Sequence, residues 1–318
     1  MLQVRDLRVR FGGPASAFAA VDGVSFDLGR GGSLALIGES GSGKSTIALS
    51  LLRLLPPEAV LSGRIDLSGQ DVLAMREGEL VRLRGAQIAM VFHDPLAALD
   101  PVMRVGTQIA ESLRAHARMD RRAARARALE LFSSVGLADA VIDRYPHELS
   151  GGMRQRALIA MAVACGPAIL VCDEPTSALD PVVQRQIVAL LGRLRRERGI
   201  ALLLATHDLG LAAAMCERIA VLYAGRIVER GAAAELVAAP RHPYTAGLLR
   251  SLPPPLGERL AGPLTPVPGA PPPPWARPTG CRFRDRCSRA QADCAVQEPE
   301  LIESGGREVA CFHPLEAP

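Results

Sequence analysis

Lysine is nearly missing from this sequence. Of 37 Lys+Arg residues only Lys44 is lysine, which leaves 36 arginines. Aromatic residues are also scarce, at 3%. No apolar run precedes the first charges in Met1-Leu2-Gln3-Val4-Arg5-Asp6, so a secretory leader is not expected. The uncharged apolar stretch Ala157 to Cys172 is sixteen residues long and is broken by Gly166-Pro167. That is short of the roughly 20 residues a membrane helix needs, and it reads as a helix end, a turn and a buried strand. A net charge of +4 over 318 residues is too mild to imply nucleic-acid binding. In a chain expected to be cytosolic, the seven cysteines read as thiols or metal ligands rather than disulfides.

What is present is an α/β pattern with 48% hydrophobic residues, ample for a core. Three short apolar runs read as strands of a covered sheet: Leu34 to Ile37, Ile169 to Cys172 and Ile200 to Ala205. Each is followed by polar residues, and ligands of such sheets bind at the carboxyl ends of strands. Residues 94–161 read as mostly helical, and Ile219 to Glu229 as a hairpin around Ala224-Gly225. The arginines at 118, 121, 122, 125 and 127 read as a solvated helix face, with 118, 122 and 125 aligned. Without interleaved aromatics that face does not suggest nucleic acid. From Ser251 to Gly280 eleven of thirty residues are proline, an extended spacer.

Gly38-Glu39-Ser40-Gly41-Ser42-Gly43-Lys44-Ser45-Thr46 has the spacing GxxxxGK[ST] between an expected strand and a helix from Thr46 to Leu55. Gly38, Gly41 and Gly43 let backbone N–H groups curl around phosphate, with Ser40 in the same turn. Lys44 brings a compact charge to the outer phosphates, and Ser45 a hydroxyl for Mg²⁺. The lone lysine stands where a planar guanidinium would fit badly. Asp173 and Glu174 end the second strand, suited to holding Mg²⁺ and to activating water. His207 ends the third, placed for a γ-phosphate contact.

Leu149-Ser150-Gly151-Gly152-Met153-Arg154-Gln155 reads as a second anion nest opening a helix. With the motifs above, in this order, it resembles the signature of ABC ATPases. The resemblance covers Met1 to about Pro240. It implies a P-loop ATPase core (1–240) with a helical subdomain (about 94–161). It also implies ATP stacked on Phe11, and a head-to-tail dimer in which Ser150, Gly151, Gly152 and Gln155 complete the partner's site. Ser177-Ala178-Leu179-Asp180 corresponds to the D-loop. His93 stands where the family has the Q-loop glutamine, which reaches Mg²⁺ and the attacking water. A shorter, titratable side chain there leaves two readings: a slower or more pH-sensitive half-site, or a tolerated substitution.

Arg241-His242-Pro243-Tyr244-Thr245 and Asp94-Pro95-Leu96 to Ile109 resemble ATP-binding subunits of dipeptide/oligopeptide importers, a group that includes nickel importers. The implied partners are a second ABC ATPase subunit, two membrane permease subunits and an extracytoplasmic substrate-binding protein, at the cytoplasmic face of the membrane. Residues 241–318 would form the importer-type C-terminal region. Its Cys281, Cys287, Cys294 and Cys311 are spaced C-x₅-C-x₆-C-x₁₆-C. On spacing alone they suit zinc, with His313 as a further candidate, iron–sulfur, or free thiols. The resemblance implies a [4Fe–4S] cluster. The tail lacks an apolar core of its own, which makes a bound metal a candidate for folding it. A nickel or metal-chelate importer ATPase and a soluble non-transport ABC ATPase are the alternative functions.

Overall fold

The computed structural model describes residues 1–13, 17–177, 179–252 and 265–316. Contacts divide the chain into two compact units. One comprises Met1–Leu28, Ser33–Leu73 and Ala205–Pro318, the other Gly29–Gly32 and Ala74–Leu204.

In the first unit, the strands Leu2–Phe11, Phe18–Leu28 and Val60–Leu67 form an antiparallel sheet extended by Gln70–Asp71. In the first of these, Leu2, Val4, Leu7 and Val9 are buried. The step from 4 to 7 breaks the two-residue period. A register shift there, with Asp6 at φ 46, inserts one residue and returns Leu7 to the core face. A second sheet contains Ser33–Ile37, whose five residues are all buried, as suits a strand covered on both faces. It pairs parallel with Arg218–Tyr223, which turns through Ala224-Gly225 into antiparallel Arg226–Ala232. The expected hairpin is therefore present, with both turn residues at positive φ.

The C-terminal residues continue that sheet. Arg307–Val309 pairs with Arg226–Ala232, and Ile302–Ser304 pairs with Arg307–Val309. Phe283 is buried against Tyr223 and Tyr244, with ring centroids 5.2 and 5.3 Å away. The tail, read as lacking an apolar core of its own, therefore packs on the body of the unit. Its few apolar side chains are shared with the body of the unit, so the tail's own sequence looks too poor for a core. The Arg241-to-Thr245 segment is anchored on Glu229, a fully buried carboxylate that accepts the N–H groups of Arg241 (2.8 Å) and His242 (3.0 Å). His242 then caps the helix Pro243–Arg250, its Nδ1 accepting the Tyr244 N–H. Of the proline-rich spacer, residues 253–264 lie outside the described residues.

In the second unit, Ile88–Val91 and Ile169–Asp173 pair in parallel. Between them in sequence come helices Pro95–Ala98, Val105–Ala117, Arg121–Ser134 and Gly151–Ala162, joined by short 3₁₀ turns. The region is helical, as the Ala/Leu/Arg pattern suggests. Gln108 is buried within it and fully engaged, donating to the carbonyls of Asp100 and Met103 and accepting the Asp100 N–H. The alignment of Arg118 with Arg122 and Arg125 is corrected. Arg118 ends one helix at φ 52 and Asp120 caps the next, so the run spans a turn. Arg125 instead forks onto Asp143. Among the described residues no helix is long and apolar enough to cross a membrane.

Candidate nucleotide site

The phosphate-loop residues lie in the first unit, between the buried strand Ser33–Ile37 and the helix Lys44–Leu51. The helix begins two residues before the expected Thr46 and ends at Leu51 rather than Leu55, with Arg53 at φ 48 just beyond it. Gly43 caps it at φ 105, where a Cβ would stand 2.9 Å from the Ala20 carbonyl oxygen, so only glycine fits. Lys44 is 4% exposed, and its Nζ donates to the carbonyls of Gly38 (2.7 Å) and Glu39 (3.0 Å). The ammonium is thereby held at the concave face of the loop. Ser40, Gly41 and Ser45 are exposed and Thr46 is half-buried, so the loop's outer rim is open to a ligand. Eight residues of helix then point their N-terminal dipole end at the loop.

His207 is in the same unit, exposed, one residue beyond the strand Ala201–Thr206. Its turn is fixed on the next residue, where Asp208 Oδ1 accepts the Leu211 N–H at 2.9 Å. Phe11 is half-buried at a strand end with its ring 5.9 Å from Phe18. Phe18 in turn meets Trp275, the single tryptophan, edge-on at 6.3 Å, with Trp275 75% exposed. These two extra aromatics escape a motif-based reading because neither falls in a motif.

The second unit gathers His93, Asp173, Glu174 and the Ser-Gly-Gly segment. Asp173 is buried at the end of its strand. Glu174 follows at φ 45, a left-handed conformation that is strained for a side chain of this size. His93 Nε2 lies 3.9 Å from Glu174 Oε2. Both line a cavity of about 250 Å³ with Asp94, Gly151, Arg154 and Gln155. Gln155 is 2% exposed, and its Nε2 is buried with no hydrogen-bond partner among the described residues. Such a donor costs stability unless a ligand or water satisfies it. Ser150 caps the helix Gly151–Ala162, its Oγ accepting the Met153 N–H. Gly152 is required by packing, since a Cβ would sit 2.7 Å from Val183 Cγ1. Asp180 caps the helix Pro181–Arg198 through the N–H groups of Val182 and Val183. Ala178 lies outside the described residues.

The four tail cysteines come together. Cys281, Cys287, Cys294 and Cys311 line one pocket with Phe283 and His313, and none is in a disulfide. Burial pushes the Cys281 thiol up to about 11 and also raises Cys287 and Cys311. His313 Nε2 lies 2.9 Å from the Asp293 carboxylate, and ligand atoms of Asp293, Cys294 and His313 fall within 4.8 Å of one another. Cys172 and Cys216 are buried as expected, while Cys165 is half-buried with its thiol facing the Ser112 carbonyl at 3.7 Å.

A lysine-bearing phosphate loop, a strained carboxylate after a buried strand, and a glycine-opened helix facing that carboxylate are the working parts of an ATP-binding cassette, and the chain is an ATPase of this class. Residues 21–177 match the ABC transporter family, and residues 228–294 match the family described as oligopeptide/dipeptide transporter, C-terminal region. The dipeptide transport ATP-binding protein DppD of Escherichia coli is 42% identical over 99% of this chain and 97% of its own length. The oligopeptide transport ATP-binding protein OppD of Salmonella typhimurium is 43% identical over 99% and 94%. Among solved structures, the ATP-binding cassette MJ0796, a dimer in a post-hydrolysis state bound to ADP and Pi, matches with a TM-score of 0.67 at 27% identity. That match covers 73% of this chain and 99% of MJ0796. The chain therefore belongs to the dipeptide/oligopeptide branch of ABC transporter ATP-binding proteins.

Proposed function

We propose that this ATPase powers import of dipeptides or oligopeptides. It would work at the cytoplasmic face of the membrane, paired with a second ABC ATPase subunit beneath two permease subunits that an extracytoplasmic binding protein supplies. The observation that carries this reading is the nearly full-length likeness to dipeptide and oligopeptide transport ATP-binding proteins, C-terminal region included. In it residues 1–240 are the ATPase, with 94–161 as helical subdomain and 241–318 as the importer-type region.

Each site residue then has a task. Phe11 stacks the adenine, and the loop from Gly38 to Thr46, including Ser40, Gly41, Gly43 and Lys44, cradles the β- and γ-phosphates. Ser45, Asp173 and His93 would hold Mg²⁺, which neutralises phosphate charge when bound. Glu174 accepts a proton from the water that attacks the γ-phosphorus, and ADP leaves with the bridging oxygen. His207 holds a γ-phosphate oxygen. Ser150, Gly151, Gly152 and Gln155 close over the nucleotide of the partner subunit, and the unpartnered Gln155 amide supports a ligand-facing role.

Four thiols in one pocket, free of disulfides and beside apolar walls, fit a [4Fe–4S] cluster held by Cys281, Cys287, Cys294 and Cys311. Bound, it would cross-link a stretch of chain whose regular elements, among the described residues, are short. One zinc is the alternative, supported by the Asp293, Cys294 and His313 grouping. The test of function is ATP hydrolysis by the co-expressed complex in lipid vesicles. Dipeptide with its binding protein should stimulate it severalfold, and Glu174→Gln should abolish it with ATP binding retained. Stimulation by a nickel chelate and by no peptide would refute the peptide reading.

A further inference from the structure

A glutamate is an awkward member of a phosphate loop. Glu39 directly follows Gly38, and an unpaired carboxylate there would repel the phosphates the loop is built to gather. The fold pairs it with a residue 247 positions later. Arg286 donates from Nη1 to Glu39 Oε2 (2.6 Å) and from Nη2 to Oε1 (2.9 Å). The Arg286 side chain is 4% exposed, and that of Glu39 29%. The guanidinium is itself held: Nε donates to the Pro268 carbonyl at 2.7 Å, and the group lies over the rings of Tyr223 and Phe283 at 5.7 and 5.9 Å. A planar fork fixed on three sides is a rigid clamp.

Two further contacts hold the same loop. The Tyr244 hydroxyl accepts the Glu39 N–H at 3.0 Å. Arg282 donates to the Ala224 carbonyl at 2.6 Å, and the neighbouring Gly225 N–H donates to the Ser42 carbonyl at 3.0 Å. Arg282 follows Cys281, and Arg286 precedes Cys287. The cysteine-bearing segment therefore grips the loop directly at Glu39, and reaches Ser42 only through the Ala224-Gly225 turn.

We propose that Arg286 is a positioning residue of the nucleotide site, which neutralises Glu39 and turns its carboxylate away from bound phosphate. This rests on the reading of Gly38 to Thr46 as the phosphate loop. The Arg286 guanidinium is taken up by Glu39 and Pro268, and its effect on the site passes through Glu39. The cysteine-bearing segment is in this way part of the apparatus that sets ATP affinity.

The test is equilibrium binding of a fluorescent ATP analogue to the full chain at fixed ionic strength. Arg286→Ala should weaken binding about tenfold, equivalent to ~1.4 kcal/mol. Arg286→Lys should recover part of the loss, because an ammonium restores charge but not the fork. The decisive variant is Arg286→Ala combined with Glu39→Gln. Removing the uncompensated carboxylate should make the double variant bind more tightly than Arg286→Ala alone. A structural brace with no electrostatic role would leave it no tighter, and that result overturns the inference, as does unchanged affinity in Arg286→Ala. Lys44→Ala separates the two readings. If it leaves affinity intact, the loop assignment fails. If it weakens binding while Arg286→Ala does not, only the role of Arg286 fails. Should Arg286→Ala not fold, Arg286→Gln, which keeps a donor without the charge, with and without Glu39→Gln makes the same comparison.

Discussion

His242 makes a quantitative prediction about acid. Its ring is 1% exposed, Nδ1 accepts the Tyr244 N–H at 3.0 Å, and Phe283 packs 5.8 Å away. Burial lowers its pKa from 6.5 to about 3, with a hydrogen bond to the Ala310 backbone opposing the shift. The folded chain therefore binds fewer protons at this ring than the unfolded chain between those two values. Stability from the neutral ring is intact above about pH 6.5 and falls as pH drops toward 3. Between pH 7 and pH 5 the loss is about 2 kcal/mol, which is ~4–8 °C in Tm for a unit of roughly 200 residues. The assay is thermal unfolding of wild type and His242→Asn at both pH values. Asparagine keeps an acceptor for the helix cap but removes the titrating ring. The variant should be less stable at pH 7, having lost the packing with Phe283, yet its Tm should fall less on acidification by that amount. Other groups contribute to both proteins and cancel in the difference. Equal acid sensitivity in the two would refute the assignment.

Other outcomes follow from the site. Trp275 fluorescence should change on adding ATP, and Phe11→Ala should weaken ATP binding by about tenfold (stacking is worth ~1–3 kcal/mol per base); a signal indifferent to nucleotide would count against Phe11 as the adenine platform. His93→Gln should raise the hydrolysis rate of the assembled transporter and flatten its pH profile, and an unchanged rate and profile would make His93 a neutral replacement. Protein purified without oxygen should carry about four irons and four acid-labile sulfides per chain, lost together in Cys287→Ala. One zinc per chain would turn the cysteine pocket into a structural staple.

The sequence was most legible where function is local. The strand, loop and helix from Ser33 to Leu51 are contiguous, so spacing alone locates the phosphate loop and Lys44. The hairpin at Ala224-Gly225 and the helical stretch after Asp94 follow from short-range pattern in the same way. Relations between distant segments were not legible. Nothing in Gly38 to Thr46 announces Tyr244 or Arg286, which reach Glu39 across 205 and 247 residues. The tail looked coreless because Phe283 packs on rings from Tyr223 and Tyr244, outside the tail's Cys-rich sequence. The arginine run looked like one helical face because the left-handed Arg118 that breaks it has no glycine or proline to mark the break.

The 247-residue reach from Glu39 to Arg286 also sets an order of events during synthesis. At translation rates of ~5–20 residues per second, about 12–50 s pass between the polymerisation of these two residues. Over that interval Glu39 has no Arg286 to pair with, and until Arg218–Tyr223 and Gly225 are made the loop's own strand and Ser42 lack their partners as well. A ribosome-bound chain halted near Pro240 should therefore hold ATP more weakly than the released protein. Nucleotide capture, and with it any futile hydrolysis before assembly, would be deferred until the final segment is made.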